Sequence, residues 1–175
     1  TLSSGSYDVA NSSRFRATDN TYMHKTPGSE GNRRTFTFST WVKRGNLGDK
    51  MLFAAGADSN VDQYFAIYFS SDALRIRIYE GSAKDVVTNM LFRDSAAWYH
   101  IVVAVDTTQG TAANRVKIYV NGSEATKASG SYVSQNLEIA VNDSGVIQQV
   151  GVGRNSSGSL ENYFDGYLAE TVLID

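Results

Sequence analysis

The sequence predicts an all-β domain in which two antiparallel sheets pack face to face as a jelly-roll sandwich. Apolar and polar residues alternate with period two along much of the chain, and no window shows a sustained helical stripe. The composition agrees, since the 175 residues include Tyr 10, Phe 8 and Gly 15 but Pro 1. Aromatic residues favour strands, and an apolar face opposite a polar face is typical of antiparallel sheets.

Four segments show this alternation most clearly. They are "TFTFSTWVK" (35–43), "YFAIYFS" (64–70), "LRIRIYE" (74–80) and "RVKIYVNG" (115–122). In each of them one face is expected to enter the core and the other to meet water. The short polar stretch "SSDA" (70–73) is expected to join two of these strands as a hairpin. Asn121-Gly122 is the strongest hairpin signal, because both residues tolerate a positive φ.

Longer polar segments are expected to be loops. These segments are 106–115, 127–132 and 154–162. They lack the apolar alternation of the strands and are rich in Ser, Asn and Gly, which are typical of turns.

The run "WYHIVVAVD" (98–106) raises the question of catalysis, because it carries both His100 and Asp106. Within one strand the two residues are about 20 Å apart at about 3.3 Å per residue, so Asp106 is not able to orient His100. No Ser or Cys lies at a recognisable nucleophile turn. We therefore expect a central strand with little exposure, in which His100 is buried and structural.

Composition excludes several classes of protein. With Lys+Arg 16 and Asp+Glu 18 the net charge is -2, whereas nucleic-acid binding requires a basic surplus. No apolar stretch approaches the roughly 18 residues that span a membrane, and the first residues do not resemble a signal peptide. Cys 0 excludes disulfides and is consistent with folding in a reducing cytoplasm. The length predicts a single domain, residues 1–175.

The order of four motifs resembles a known family. The motifs are "FTFSTWVKRG", "WYHIVVAVD", "RVKIYVNG" and "NYFDGYLAETVLID". Together they are similar to the laminin G-like/pentraxin branch of the concanavalin A-like lectin and glucanase superfamily, over roughly residues 33–175. The resemblance implies a concanavalin A-like fold and a lectin-like, carbohydrate-binding function.

Two stretches are also similar to the version of this domain found in bacteriophage virion and tail-fibre proteins. They are "RFRATDNTYMHKTPGSEGNRRTFTFSTWVKRGNLG" and "FDGYLAETVLID". In such proteins the chain continues, so the resemblance implies a domain of a longer polypeptide. It also implies a virion protein that folds in the host cytoplasm and is exposed on the particle surface. The implied partners are a host-surface polysaccharide and other virion chains, with a homotrimer as one option.

The sequence predicts that the domain is not an enzyme. Glucanases on the resembled fold share an E-x-D-x-E strand that places alternate carboxylates on one face for acid and nucleophile roles. Here Glu138 and Glu170 are followed at alternate positions by uncharged residues. Asp165 and Glu170 are instead expected at the polar edge of the closing strand, with Gly166 allowing a bulge or a close backbone approach.

A calcium site is one interpretation of "GADSNVDQY" (56–64). Asp58, Asn60 and Asp62 stand at alternate positions and carry the oxygen ligands that calcium prefers. A solvated turn is the alternative, and it is favoured because the Gly and the terminal Glu of an EF-hand loop are missing.

Glycan binding has two candidate locations. The first is a sheet face bearing aromatic rings for sugar stacking and guanidinium groups for polar contacts, namely Tyr64, Tyr68, Arg75, Arg77 and Tyr79. This face also fits a plain solvated surface or a subunit contact. The second is the rim, with loops 56–63, 106–114 and 154–163 and with Tyr163. The missing acid pair removes the main reason to prefer a sheet-face cleft, so the sequence favours the rim.

The sequence therefore predicts a non-catalytic carbohydrate-binding domain of a phage structural protein. The alternative is a structural module for oligomerisation or decoration of the virion, without a glycan ligand.

Overall fold

The computed structural model describes residues 11–56 and 64–175. These residues contain fifteen β-strands. In chain order they are β1 (Ser13–Phe15), β2 (Met23–Lys25), β3 (Thr35–Arg44), β4 (Lys50–Gly56), β5 (Tyr64–Ser70), β6 (Ala73–Glu80), β7 (Ser82–Leu91), β8 (Tyr99–Asp106), β9 (Val116–Val120), β10 (Ser123–Glu124), β11 (Lys127–Gly130), β12 (Gln148–Val150), β13 (Gly153–Arg154), β14 (Leu160–Glu161) and β15 (Gly166–Ile174). In these described ranges the helical elements are single 3₁₀ turns at Ala17–Asp19 and Ala112–Asn114. Within the same ranges, no helix is long and apolar enough to span a membrane.

The strands form two large antiparallel sheets. The six-stranded sheet has the order β1-β15-β3-β8-β9-β10, and the seven-stranded sheet has the order β11-β7-β6-β5-β4-β12-β2. A short hairpin of β13 and β14 lies outside both sheets. This arrangement confirms the predicted all-β sandwich of two antiparallel sheets.

The core lies between the sheets and is rich in aromatic rings. Strand β3 alternates as predicted, with Phe36 and Phe38 on its buried face. The rings of Phe36 and Phe65 meet edge to face at 5.4 Å, and those of Phe38 and Phe53 are 5.1 Å apart. Because Phe53 and Phe65 belong to the seven-stranded sheet, these ring pairs join the two layers.

Both predicted hairpins are present. Ser71 and Asp72 have φ values of 49° and 67° between β5 and β6. Asn121 and Gly122 have φ values of 51° and 81° between β9 and β10. The left-handed pairs match the right-handed twist of the flanking strands.

Two of the predicted loops contain strands instead. Segment 127–132 includes β11, which pairs with β7 at the edge of the seven-stranded sheet, and segment 154–162 includes part of the β13–β14 hairpin. Edge pairing uses backbone groups, so a polar segment without alternation is able to form it. Segment 106–115 is a loop with one 3₁₀ turn, as expected.

Strand β5 is buried on both faces, which corrects the expectation that one of its faces meets water. Tyr64 and Tyr68, on the outer face, are only 5% and 8% exposed, whereas Phe65 and Ile67 on the core face are fully buried. The chain after β12 packs over this side of the sheet, because the Met51 backbone N–H donates to the Asn162 carbonyl at 2.8 Å.

Strand β8 is central, yet His100 is half-buried rather than buried. It lies on the outer face of the six-stranded sheet, where its Nε2 is 3.0 Å from Ser39 Oγ and its ring stacks on Trp41 at 4.9 Å. The expectation of burial was wrong because, among the described residues, no segment packs over the outer face of this sheet. The β13–β14 hairpin does pack over the outer face of the seven-stranded sheet. Asp106 is occupied elsewhere, with Thr108 and Gln109 as hydrogen-bond partners.

The His100→Gln variant is expected to lose about 1 kcal/mol of unfolding free energy, the usual contribution of one hydrogen bond. The loss stays small because the site is half exposed and glutamine retains a polar group near Ser39. Urea denaturation measures it, with Ser39→Ala as the matched removal of the same bond. A loss above about 3 kcal/mol would mean that His100 supports a larger buried network.

Candidate functional site

The outer face of the seven-stranded sheet brings together the five sheet-face residues singled out in the sequence. Alternation along β5 places Tyr64 and Tyr68 on this face, and the register sets Tyr68 beside Arg75 and Ala66 beside Arg77. Tyr64, Tyr68 and Tyr79 pack around the small side chains of Ala54 and Ala66, with Met51. The face thus has a floor of small residues between aromatic walls.

A cavity of about 270 Å³ opens at one end of this face. We call it the sheet-face notch. Its lining combines aromatic rings, guanidinium groups, carboxylates, an amide and a hydroxyl, contributed by Asp49, Met51, Tyr64, Tyr68, Ser70, Arg75, Arg77, Glu161 and Asn162. A concave site with a few convergent polar groups is the usual form of a ligand site.

Asp85 on β7 fixes both arginines of the notch. Its carboxylate accepts from Arg75 Nη1 at 2.7 Å, and from Arg77 Nε and Nη2 at 2.8 Å each. Burial alone would raise the pKa of Asp85, but the hydrogen bonds and charges of Arg77 and Arg75 hold that pKa below its usual range. Asp85 therefore stays ionised, and the arginine side chains are held in place before any ligand arrives.

Tyr68 supplies the aromatic surface nearest to these arginines. The guanidinium carbon of Arg77 lies 5.8 Å from the centroid of its ring. Burial raises the pKa of Tyr68, so its hydroxyl remains protonated. With only 8% of the residue exposed, Tyr68 contributes to the notch mainly as a hydrogen-bond donor beside Arg77.

The β13–β14 hairpin and the segment after it form one wall of the notch. The hairpin is held by Arg154, which donates from Nε to Gln149 Oε1 at 3.1 Å and from Nη1 to the Gly158 carbonyl at 2.9 Å. Glu161 and Asn162 then follow at the cavity. Two buried donors on this side of the sheet, Arg75 Nε and Gln149 Nε2, have no hydrogen-bond partner. Fully buried donors of this kind are usually satisfied by an internal water.

The other predicted site residues lie elsewhere. Asp58, Asn60 and Asp62 fall outside the described residues. Tyr163 is half-buried and meets Tyr22 edge to face at 6.2 Å, beside strand β2, so it does not line the notch. Within residues 11–56 and 64–175 no three His, Asp or Glu side chains are grouped as metal ligands would be.

Sequence reasoning missed Asp49 and Asp85, whereas Glu161 and Asn162 belong to the 154–163 loop that it offered as a rim site. A signal existed for Asp85, because a hairpin at Gly81 places it beside Arg77 in the next strand. Asp49 gave no such signal, and no pattern joined the 154–163 loop to the sheet face, because the two are distant in the chain.

A larger opening of about 500 Å³ lies between the sheets at the edge formed by β2, β12 and β15. Its depth is lined by core side chains such as Phe38, Phe53 and Leu173. The sheet-face notch is the better candidate site, because it unites aromatic rings with polar groups that fixed partners hold in position.

The fold and this site can be compared with known proteins. A family model described as "Concanavalin A-like lectin/glucanases superfamily" (Laminin_G_3) matches residues 16–175. The chain belongs to this superfamily. The resemblance seen in the four motifs is thereby confirmed at the level of the family. The comparison with curated protein sequences gave no match.

Solved structures show the same lectin-like fold at low sequence identity. The mouse laminin α1 chain, domains LG4-5, has a TM-score of 0.69 at 13% identity, covering 94% of this chain and 42% of that one. The CBM40 of the Ruminococcus gnavus IT-sialidase has 0.60 at 14%, covering 87% and 91%. The native heptameric SAP-like pentraxin from Limulus polyphemus has 0.56 at 16%, covering 87% and 75%.

Proposed function

We propose that this superfamily member is a non-catalytic carbohydrate-binding domain whose ligand occupies the sheet-face notch. The observation that carries the proposal is the meeting of Tyr64 and Tyr68 with two arginines clamped by one carboxylate. The tyrosines are largely buried and form the apolar wall of the notch, and sugar hydroxyls require donors and acceptors that are already oriented. As further support, the CBM40 of Ruminococcus gnavus has been solved with α2,3 sialyllactose and with α2,6 sialyllactose.

The biological setting we propose is a phage structural protein that binds a glycan of the host surface. The support is the similarity of residues 14–48 and 164–175 to domains of virion and tail-fibre proteins. Weak affinity for a single site suits such a role, because many copies on one particle bind together.

Absence of catalysis is part of the proposal. The carboxylate held most firmly on the sheet face, Asp85, has a lowered pKa and is salt-bridged to two arginines, so it is unsuited to donate a proton. Asp49 accepts bonds from Ser70 and Ser71 at the mouth. Release of reducing sugar from a bound glycan, lost on Asp49→Asn or Glu161→Gln, would contradict this part.

A glycan array followed by calorimetry tests the proposal. Arg75→Gln is expected to weaken glycan binding at least tenfold, since a bidentate or charge-assisted contact contributes about 1.5–3 kcal/mol. Arg16→Ala is the control, because Arg16 pairs with Asp19 on the surface and does not line the notch. Equal loss in both variants, or none in either, would contradict binding in the notch.

The rim predicted from the sequence is tested in the same assay. The double variant Asp58→Ala with Asp62→Ala alters the 56–63 loop, and Tyr68→Ala with Arg77→Ala alters the sheet face. The notch proposal expects the second pair to abolish binding and the first to retain it. The reverse result would place the ligand on the rim, provided that both variants keep a cooperative thermal transition.

Calcium binding at Asp58, Asn60 and Asp62 remains a prediction with a simple test. A bound ion stabilises the folded state by RT ln(1 + [L]/Kd), about 2.7 kcal/mol at a hundredfold excess over Kd. Calcium should therefore raise the melting temperature, and Asp58→Asn with Asp62→Asn should remove the effect. An identical melt in calcium and in chelator would leave the solvated turn as the interpretation.

A structural role in the virion is the second candidate, and one surface favours it. The outer face of the six-stranded sheet exposes 37% of Trp98, 43% of Val172 and 60% of Ile174. Contiguous exposed apolar side chains are typical of a subunit contact, and Val172 and Ile174 are neighbours on this face of β15. A stable oligomer that binds no glycan at high protein concentration would support this role over the first.

A further inference from the structure

The charges of the sheet-face notch restrict the class of sugar that it is able to bind. Two guanidinium groups, those of Arg75 and Arg77, are paired with Asp85 beside them on β7, and two further carboxylates, Asp49 and Glu161, line the cavity. Asp85 touches both arginines at 2.7–2.8 Å. Its negative charge therefore already compensates much of their positive charge before a ligand arrives.

The two remaining carboxylates stand where a ligand would enter. Asp49 is exposed, and Glu161 is half-exposed beside Asn162. Asp49 accepts from Ser70 Oγ at 3.4 Å and from the Ser71 N–H at 3.3 Å, and these long bonds leave it capacity for ligand hydroxyls. A carboxylate on the ligand would face these two oxygen groups and be repelled by them.

The donors of the notch are also suited to uncharged groups. Tyr68 keeps its hydroxyl proton, and the guanidinium groups of Arg75 and Arg77 supply N–H donors to the lining. A sugar hydroxyl both donates and accepts, so it can satisfy a carboxylate on one side and a donor on the other. A sugar carboxylate only accepts hydrogen bonds, so it offers Asp49 and Glu161 no donor.

We infer that the notch selects neutral, hydroxyl-rich sugars and discriminates against sugars bearing a carboxylate, through Asp49 and Glu161. This inference rests on the proposed function and names the ligand class of the same site. It assigns the two acidic residues to specificity rather than to catalysis.

The test compares matched pairs of oligosaccharides, each pair sharing a neutral core and differing by one terminal sialic or uronic acid. Calorimetry at low salt is expected to show the neutral member bound about fivefold more tightly than the acidic one, since two exposed like-charge contacts of about 0.5 kcal/mol each add to about 1 kcal/mol. Salt should leave the affinity of the neutral member unchanged and narrow the difference between the two.

The variant Asp49→Asn with Glu161→Gln isolates the cause. Both substitutions keep the shape and the oxygen acceptor while removing the charge, so the preference should fall to about twofold or less. Asp19→Asn is the control, because Asp19 pairs with Arg16 outside the notch and should leave the preference unchanged.

The outcomes separate this inference from the function on which it rests. Acidic members bound as tightly as the neutral ones, or more tightly, would overturn the inference while leaving carbohydrate binding intact. A preference that survives the double variant would overturn the role of Asp49 and Glu161. Failure of every oligosaccharide to bind would overturn the proposed function itself, and the inference with it.

Discussion

Replacing Arg44 by alanine is expected to lower the free energy of unfolding by about 3–5 kcal/mol, the usual effect of removing one partner of a buried ion pair. Arg44 is 1% exposed at the end of β3. Its guanidinium donates to the Phe92 carbonyl at 2.7 Å, the Gly48 carbonyl at 3.0 Å and Asp72 at 3.2 Å. Its carbon lies 4.4 Å from the centroid of the Phe69 ring. The alanine variant loses all of these contacts and leaves a cavity.

Urea denaturation measures this effect, with Arg44→Met as the companion variant. Methionine fills part of the space beside Phe69, so it should lower the free energy of unfolding by less than alanine does. It should still be destabilising, because the two carbonyls lose their hydrogen-bond donor. Arg16→Ala, which breaks an exposed pair, should change the unfolding free energy by less than about 1 kcal/mol. If Arg44→Ala lowers the free energy of unfolding by less than about 1 kcal/mol, the contacts of Arg44 with Asp72 and the two carbonyls do not stabilise the fold appreciably.

Replacing Gly166 by alanine is expected to be destabilising by about 3 kcal/mol or more, combining backbone strain with a steric clash. Gly166 has a φ of 145°, and an added Cβ would meet the Lys43 carbonyl oxygen and lie 2.8 Å from the Gly45 nitrogen. Both of these neighbours are backbone atoms of or next to β3. Relief of the clash therefore requires β15 and β3 to separate.

Gly158→Ala is the matched comparison for Gly166. Its φ is 78°, but an added Cβ would have no atom within 4 Å. It should therefore show only the cost of an unfavourable φ, roughly 1–2 kcal/mol. The difference between the two variants in thermal or urea unfolding isolates the close approach. Equal losses would mean that backbone φ alone accounts for both.

The features predicted correctly are those with a local cause. Alternation along β3 and β9 set their buried faces, and Asn121-Gly122 fixed one hairpin because few residue pairs tolerate two positive φ values. The close backbone approach at Gly166 was also expected. It follows from a residue without a side chain inside a strand pattern.

The features predicted wrongly depend on distant parts of the chain. The burial of Tyr64 and Tyr68 requires chain from beyond β12 to cover β5, and no pattern within 64–70 records that cover. His100 is partly exposed because no described segment packs over the outer face of the six-stranded sheet. An apolar strand with period two looks the same in both situations.

The part of the candidate site that depends on local register was predicted, and the part that depends on distant segments was not. The five sheet-face residues lie on neighbouring strands joined by a tight hairpin, so local register is enough to place them together. The acidic residues Asp49 and Glu161 meet them only through the folded position of the β13–β14 hairpin and of the loop before β4. The sequence offered the 154–163 loop, which contains Glu161, as a rim site, but nothing in it showed that this loop or Asp49 meets the sheet face.

The most direct test of the central claim is an amide chemical-shift titration of the ¹⁵N-labelled domain with a neutral oligosaccharide selected on the array. Binding in the sheet-face notch predicts shifts that cluster at Met51, Tyr68, Arg75 and Asn162, with the amides of β8 and β9 unchanged. Shifts confined to the 106–114 loop or to the outer face of the six-stranded sheet would contradict the claim, as would a spectrum that no oligosaccharide changes.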